Sequence, residues 1–272
     1  MPTVSVIMGV YNCRRADLLD KSIRSVIVQS FTDWEFLICD DGSSDESTLE
    51  LLKKYEAEDS RIRILTNEKN QGLCAALNTC LKNCTGKYIV RQDDDDVSRP
   101  ERFQKLVEFA DTHPEYAIVG SIADVSDDRG VWGEYPLEEQ PEKTSFYWNS
   151  PFAHPTVLIR KEALDSVGGY RVAKETRRCE DYDLFMRMYA ADYKGYNLQE
   201  KLYEYRVEQG KKKYRSMKDR VDETVVRYKG YKQMGILGRG IPYVVKPVVV
   251  GLIPQRMFAK IKEKQYSSKR QG

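Results

Sequence analysis

The stretch "YIVRQDDDDVSRPERF", residues 88–103, sets four consecutive aspartates directly after an apolar run. Like charges in such a row repel one another unless they are hydrated, paired with bases or gathered around a cation. Which of these applies depends on what the run before them is. Three similar units precede it: "VSVIMGV", then the helical "ADLLDKSIRSVIVQS"; "WEFLICD", then "DESTLELLKKYEAE"; and "RIRILTN", then "LCAALNTCLKNC". Continuous apolar runs joined by helices of this length predict βαβ units and a parallel sheet with right-handed crossovers. "KYIVRQ" is then a fourth strand. In an open sheet of this kind ligands sit beyond the carboxyl ends of the strands, where the topology reverses. Tyr11 and Asn12, Asp40 and Asp41, Asn67 to Asn70, and Asp93 to Asp96 follow the four strands, so all should converge on one edge.

Downstream, "ERFQKLVEFADTHP" predicts a helix ended by Pro114, and "YAIVGSIADVSDDRGVWGEY" a strand, a turn at Asp128 to Gly130, and a strand. "EEQPEKTSFYWN" reads as helical, "HPTVLIRKEALDSVGGY" as a strand and short helix, and "CEDYDLFMRMYAAD" as a helix with acids in its first turn. Charge is unevenly spread: residues 201–272 hold 19 Lys and Arg against 6 Asp and Glu, whereas residues 1–200 hold 25 against 36. The expected division is therefore a nucleotide-binding and catalytic domain over 1–208 and a basic helical region over 209–272. Six cysteines without a CxxC pair, and two histidines, argue against a structural zinc site and for reduced thiols in a cytoplasmic protein. The apolar start lacks a basic n-region, and "YVVKPVVVGLIP" is too short and too interrupted to span a bilayer.

The acids admit two readings. A solvated loop capping the next helix, with Arg99 and Arg102 as partners, explains Asp96 or Ser98. It does not explain Asp93 to Asp95 at a sheet's carboxyl edge, where a divalent cation takes one or two carboxylates plus substrate phosphates. If that segment is extended, Asp93 and Asp95 point to one side and Asp94 to the other. Asp40, closing a buried strand, lies where a base or ribose would bind. "DGSSD" after it can be a turn in which Ser43, Ser44 or Asp45 caps a helix. Glu180, Asp181 and Asp183 either complement a helix dipole or supply a base. His154 either packs under the site or borders it. Trp132, Tyr147 and Trp148 either stack on a sugar or belong to the core.

"VSVIMGVYN", "ICDDGSSD", "NQGLCAALN", "RQDDDDVSRPERF" and "CEDYDLFMRM" resemble, in order and approximate spacing, the blocks of the inverting family two glycosyltransferases of bacterial polysaccharide type. The likeness spans residues 3 to about 200. It implies a GT-A fold, an α/β architecture with a Rossmann-like, mostly parallel central sheet flanked by helices, here with a basic helical C-terminal extension. It also implies that Val10, Tyr11 and Asn12 line the nucleotide pocket, that Asp40 contacts the uracil or ribose side, and that Asn70 and Gly72 lie in the loop closing on the nucleotide. Asp93 and Asp95 match the DxD motif that holds Mg²⁺ or Mn²⁺ and the donor, with Asp94 in the variable middle position. The aspartate of an ED pair serves as base, which maps to Asp181, with Glu180 second. His154 matches a His-Pro segment bordering the donor site.

The expected activity is metal-dependent transfer of a sugar, with inversion, from a nucleotide-sugar donor such as a UDP-sugar to a saccharide or lipid-linked acceptor. A nucleotidyltransferase would carry a Gly-rich basic phosphate loop near the first strand, which "GVYNCRRAD" does not match. A silent nucleotide-sugar-binding protein would not need Asp93, Asp95 and Asp181. "KKKYRSMKDR" and "VVVGLIPQRMFAKIKEKQYSSKR" mix cations with apolar residues, Leu252, Ile253, Met257, Phe258 and Ile261 among them. That mixture fits an anionic membrane surface better than nucleic acid and predicts a peripheral location on the inner face of the cytoplasmic membrane.

Overall fold

The computed structural model describes residues 1–208 and 215–252. Strand β1 (Val4–Val10) is followed by helix α1 (Ala16–Ile27), β2 (Trp34–Asp40) by α2 (Glu46–Glu58), β3 (Ile62–Thr66) by α3 (Leu73–Asn83), and β4 (Tyr88–Arg91) comes next. These four strands pair parallel in the order β3-β2-β1-β4. The chain therefore builds outward from β1 in one direction, then returns to place β4 on its other side. The topology reverses between β1 and β4.

Alternation along each strand explains why the sheet holds helices on both faces. Ile7, Leu37, Cys39 and Ile89 point to one core, with Leu77 of α3. Val6, Met8, Phe36, Ile38, Tyr88 and Val90 point to the other, with Leu19 of α1 and Leu52 of α2. Each such side chain fully removed from water contributes about 1.5–3 kcal/mol of transfer free energy, which fixes the register.

Beyond β4 lie the two-residue β5 (Val97–Ser98), α4 (Arg102–Thr112), β6 (Tyr116–Asp127), β7 (Gly130–Tyr135), β8 (Leu158–Arg160), α5 (Lys161–Ser166), α6 (Glu180–Ala190) and β9 (Lys194–Arg206). The sheet continues β4-β8-β6-β9-β5, with β7 paired to β6; β8 runs antiparallel to β4, and β9 runs parallel to β6. The turn at Asp128 to Gly130 forms as expected. Residues 138–149 hold only a short 3₁₀ turn at Lys143–Tyr147, where a longer helix was expected, and β9 was not foreseen.

Helices α7 (Met217–Gln233) and α8 (Leu237–Gly251) complete the described chain. Val226, Tyr231, Met234 and Val244 enter the same core as α3 and α6. A Cβ on Gly240 would lie 2.7 Å from the Tyr231 ring and one on Gly251 3.1 Å from Met217, so the two helices run antiparallel in close contact. Among the described residues no helix is long and apolar enough to cross a membrane. Residues 211–214 of the basic stretch, and Ile253, Met257, Phe258 and Ile261, lie outside the described residues.

Candidate active site

Register sets the edge. Val10, Asp40 and Thr66 stand level across β1, β2 and β3, whereas Arg91 at the end of β4 pairs with Ile7, three residues short of β1's end. The chain after β4 thus starts in a recess beside the reversal point. Val10 is buried, Tyr11 is half exposed, and Asn12 adopts φ 45°, a left-handed conformation that Asn tolerates. Its side-chain oxygen accepts from the amides of Ser44 (2.8 Å) and Asp45 (3.0 Å), and its own amide donates to Ser43 Oγ (2.9 Å). Asn12 therefore latches the end of β1 to the loop after β2. Within that loop Gly42 (φ 77°) passes so close to the Lys69 backbone that a Cβ would sit 2.7 Å from its Cα. Asp45 caps α2 by accepting from Thr48 N (2.9 Å).

Asp40 and Asp41 are both buried, and they divide the work. Asp40 Oδ1 accepts from the amide of Ser43 (3.0 Å). Asp41, which the sequence suggested only as part of a turn, takes the amides of Gln71 (2.9 Å) and Gly72 (2.7 Å) and the side-chain amide of Asn67 (2.7 Å). It anchors the loop carrying Asn70 and Gly72 and places a carboxylate at the start of α3.

The four aspartates are not an extended run: Asp94 and Asp95 form a turn between β4 and β5, so strict alternation of sides does not apply. For Asp93 the capping-loop alternative, with Arg99 and Arg102 as partners, does not hold either. Arg99 pairs with Asp124 and Glu204, and Asp93 is bound instead by Arg91, a buried arginine inside the fourth strand. Asp96 is buried and accepts from the amide of Arg206 (2.7 Å); burial, with Asp93 and Asp95 nearby, pushes its carboxyl well above the usual range. Asp94 is raised to about 6 by burial and by the carboxylates of Asp95 and Asp93.

Arg102 is fully buried, and burial lowers it to about 10, which leaves it a cation at neutral pH. Its fork donates to Gln92 Oε1 (3.1 Å), Ser98 Oγ (2.7 Å), the Arg91 carbonyl (2.8 Å) and the Pro155 carbonyl (2.7 Å). Gln92 in turn donates to Ser22 Oγ (2.9 Å) and to the Asp96 carbonyl (3.1 Å). One guanidinium thus fixes the end of β4, the aspartate turn and the His154-Pro155 segment together.

A cavity of about 370 Å³ opens beside this hub, and Asp93, His154, Glu180 and Asp181 share its wall with Leu73, Arg178 and Arg215. Val10, Tyr11, Asn12, Asp40, Asn70 and Gly72 are not among its lining residues and occupy the adjoining edge over β1, β2 and β3. His154 sits in a 3₁₀ turn with Nε2 2.8 Å from the Tyr170 hydroxyl; burial, aided by Arg91, holds it well below its ordinary pKa and so neutral. Glu180 and Asp181 open α6. Burial first, and Asp181 next, push Glu180 to about 7, while burial also raises Asp181. Asp183, one turn on, points elsewhere: its Oδ1 meets Arg171 (2.6 Å) and its Oδ2 meets Arg187 (2.8 Å). Its pairing with Arg187, one turn along the same helix, is buried. Arg178 and Arg215 were not anticipated; Arg215 donates to Glu223 (2.6 Å) and to the Arg178 carbonyl (2.9 Å). Tyr147 stacks on Tyr243, Trp148 is exposed beside Lys246, and Trp132 donates to the Val207 carbonyl.

Do these residues fit a divalent cation? Three carboxylates are held within one turn at the sheet edge, with one of them raised in pKa by burial and then by the other two. Among the described residues no group of three or more His, Cys, Asp or Glu side chains is placed to hold a metal ion by itself. Mg²⁺ needs only one or two carboxylates when donor phosphates supply the remaining oxygens, so the set fits a cation that arrives with its nucleotide.

The chain belongs to glycosyl transferase family 2, whose model matches residues 5–168. It is 38% identical over its whole length to EpsE of Bacillus subtilis (strain 168), named as a glycosyltransferase, covering 97% of that protein. It is 29% identical over 85% of its length to an Escherichia coli UDP-Gal:alpha-D-GlcNAc-diphosphoundecaprenol beta-1,3-galactosyltransferase, covering 84% of that enzyme. The structure of S. aureus TarS 1–349 in complex with UDP-GlcNAc superposes with a TM-score of 0.70 at 19% identity, over 96% of this chain and 79% of that one. That likeness shows the shared fold: an α/β, GT-A-like architecture with a mostly parallel sheet flanked by helices.

Proposed function

We propose that this family 2 glycosyltransferase moves a sugar from a nucleotide donor, a UDP-sugar foremost, with inversion onto a lipid-linked oligosaccharide or polysaccharide in cell-surface glycan synthesis. The observation that carries the reading is the meeting of Asp93 with Glu180 and Asp181 in one cavity wall, residues 87 or more positions apart that only the fold brings together. The E. coli relative named as acting on a diphosphoundecaprenol-linked GlcNAc supports the acceptor class.

In this reading the edge over β1 and β2, with Val10, Tyr11, Asn12 and Asp40, receives the base and ribose, and the loop of Asn70 and Gly72, tethered by Asp41, closes on them. Asp93 and Asp95 would hold Mg²⁺ or Mn²⁺, with Asp94 beside them at the donor. When bound, the cation supplies Lewis-acid stabilisation of the charge that develops on the departing diphosphate. Asp181 takes the proton of the acceptor hydroxyl as it attacks from the face opposite the leaving group. Glu180, its neighbour, is the alternative base and, when protonated, can donate a hydrogen bond to the substrate. Neutral His154, fixed by Tyr170, borders the donor. Residues 209–272 act as the basic extension to a catalytic domain of 1–208 and keep the enzyme at the inner membrane face, where a lipid-linked acceptor is presented.

Two variants test this. Asp95→Ala should abolish Mn²⁺-dependent hydrolysis or transfer of a UDP-sugar, and undiminished turnover would remove the metal role. Asp181→Asn should keep UDP binding by calorimetry while transfer is lost.

A further inference from the structure

Among the described residues, eight of the fifteen exposed large apolar side chains lie on α7, α8 and the residue that ends α8. On α7 they are Met217, Val221, Val225 and Tyr228; on α8 and its cap they are Ile241, Val245, Val249 and Leu252. Spacings of three and four keep each set in one stripe along its helix. The buried positions, Val226, Gly230 and Tyr231 on α7 and Gly240, Val244 and Pro247 on α8, occupy the other side. Because the helices run antiparallel, these phases bring both stripes to the same outer side of the hairpin, away from α6.

Charge and position narrow what could cover such a face. Helix α8 contains Arg239 and Lys246 and no acid, and Lys218 and Lys232 stand exposed along the α7 stripe. Met217 and Gly251 meet at one end of the hairpin. The sequence entering there carries Lys211, Lys212, Lys213 and Arg215, and the sequence leaving there, residues 253–272, carries six Lys and Arg against one Glu. A second copy of the chain would set these cations against one another, whereas an anionic lipid surface complements them and accepts the apolar stripes. The same end adjoins the cavity, because Arg215, two residues before Met217, lines it.

From this we infer that the outer face of the α7–α8 hairpin docks on anionic bilayer, with its Met217 and Leu252 end setting the cavity mouth at the lipid surface. The inference gives a surface to the membrane part of the proposed function and does not depend on the transfer chemistry. The test uses the full chain in low-salt sedimentation with vesicles of phosphatidylcholine alone or mixed with phosphatidylglycerol. The wild type should partition onto the mixed vesicles. The double variant Ile241→Asp/Val249→Asp, at exposed sites that spare the fold, should lose at least about tenfold in partitioning. Its thermal midpoint and UDP-sugar hydrolysis should stay unchanged, and Ile241→Leu/Val249→Leu should bind as the wild type does. Undiminished binding by the aspartate variant overturns the inference. So does a wild type that ignores vesicles but forms a dimer which the aspartate variant splits, since the face then belongs to a second copy. Loss of hydrolysis in the wild type would sink the enzymatic reading and leave vesicle binding as it was.

Discussion

Replacing Asp41 by alanine removes the acceptor of three hydrogen bonds, two from backbone amides at the start of α3 and one from the buried Asn67 amide. Hydrogen bonds to a charged acceptor contribute about 1.5–3 kcal/mol each, but Gln71 is exposed, so water can recover part of the loss at the backbone donors. The Asn67 side chain has no such recourse, and α3 also loses a favourable charge at its N-terminus. Together these give roughly 3–4 kcal/mol for Asp41→Ala and about 1–2 kcal/mol for Asp41→Asn, which keeps one acceptor oxygen. For a chain of this size that corresponds to a fall in melting temperature of roughly 10 °C and 4 °C respectively. Scanning calorimetry would read the shift, and UDP titration should show weaker binding, because the Asn70 and Gly72 loop loses its anchor. An alanine variant melting within about 2 °C of the wild type, with UDP affinity intact, would refute the view that this carboxylate holds the loop.

Arg102→Lys keeps the charge but cannot span four acceptors with one ammonium, so it should cost about 2–4 kcal/mol and lower activity along with urea midpoint. Asp183→Asn breaks a buried bridge to Arg171 and Arg187 and should destabilise by roughly 3 kcal/mol, with residual activity at low temperature, whereas Asp181→Asn should remain stable and inactive. Glu180, raised to about 7 in the folded chain from 4.5, binds its proton more tightly folded than unfolded, so stability falls as pH rises through that window. Metal-free Glu180→Gln should therefore melt higher than the wild type above pH 7, and the difference should vanish below about pH 4.5.

The first four strands were legible because each is a short, largely apolar run flanked by a helix of ordinary length, and β1, β2 and β4 are buried on both faces, which leaves no other use for such a run. Strand β9 was not. "KGYNLQEKLYEYR" carries charges through its middle, where its pairing to β6 shifts register between Ser121 and Ala123, so neither alternation nor a continuous apolar run appears. The acids that share the cavity were visible as acids, but their partners were not. Arg99 and Arg102, around the start of the following helix, were the partners weighed, while the partner of Asp93 is Arg91, two residues before it, and an arginine buried inside an apolar strand was the available sign of a paired carboxylate. Asp41 was hidden by its neighbour. Two adjacent aspartates look alike in a sequence, and only the approach of residues 67–72 gives the second its three donors. Arg178 and Arg215 left no pattern at all, since one reaches the cavity from just before α6 and the other from just before α7.

Arg102 grips carbonyl oxygens at Arg91 and Pro155 and never reads the side chains there. The main chain at position 155 is therefore pinned to the aspartate turn independently of its own side chain, while the neighbouring Phe152, Thr156 and Val157 are committed to the core. A segment grafted here would have to offer a carbonyl at position 155 to the Arg102 fork as well as side chains that fill the core at 152 and 157.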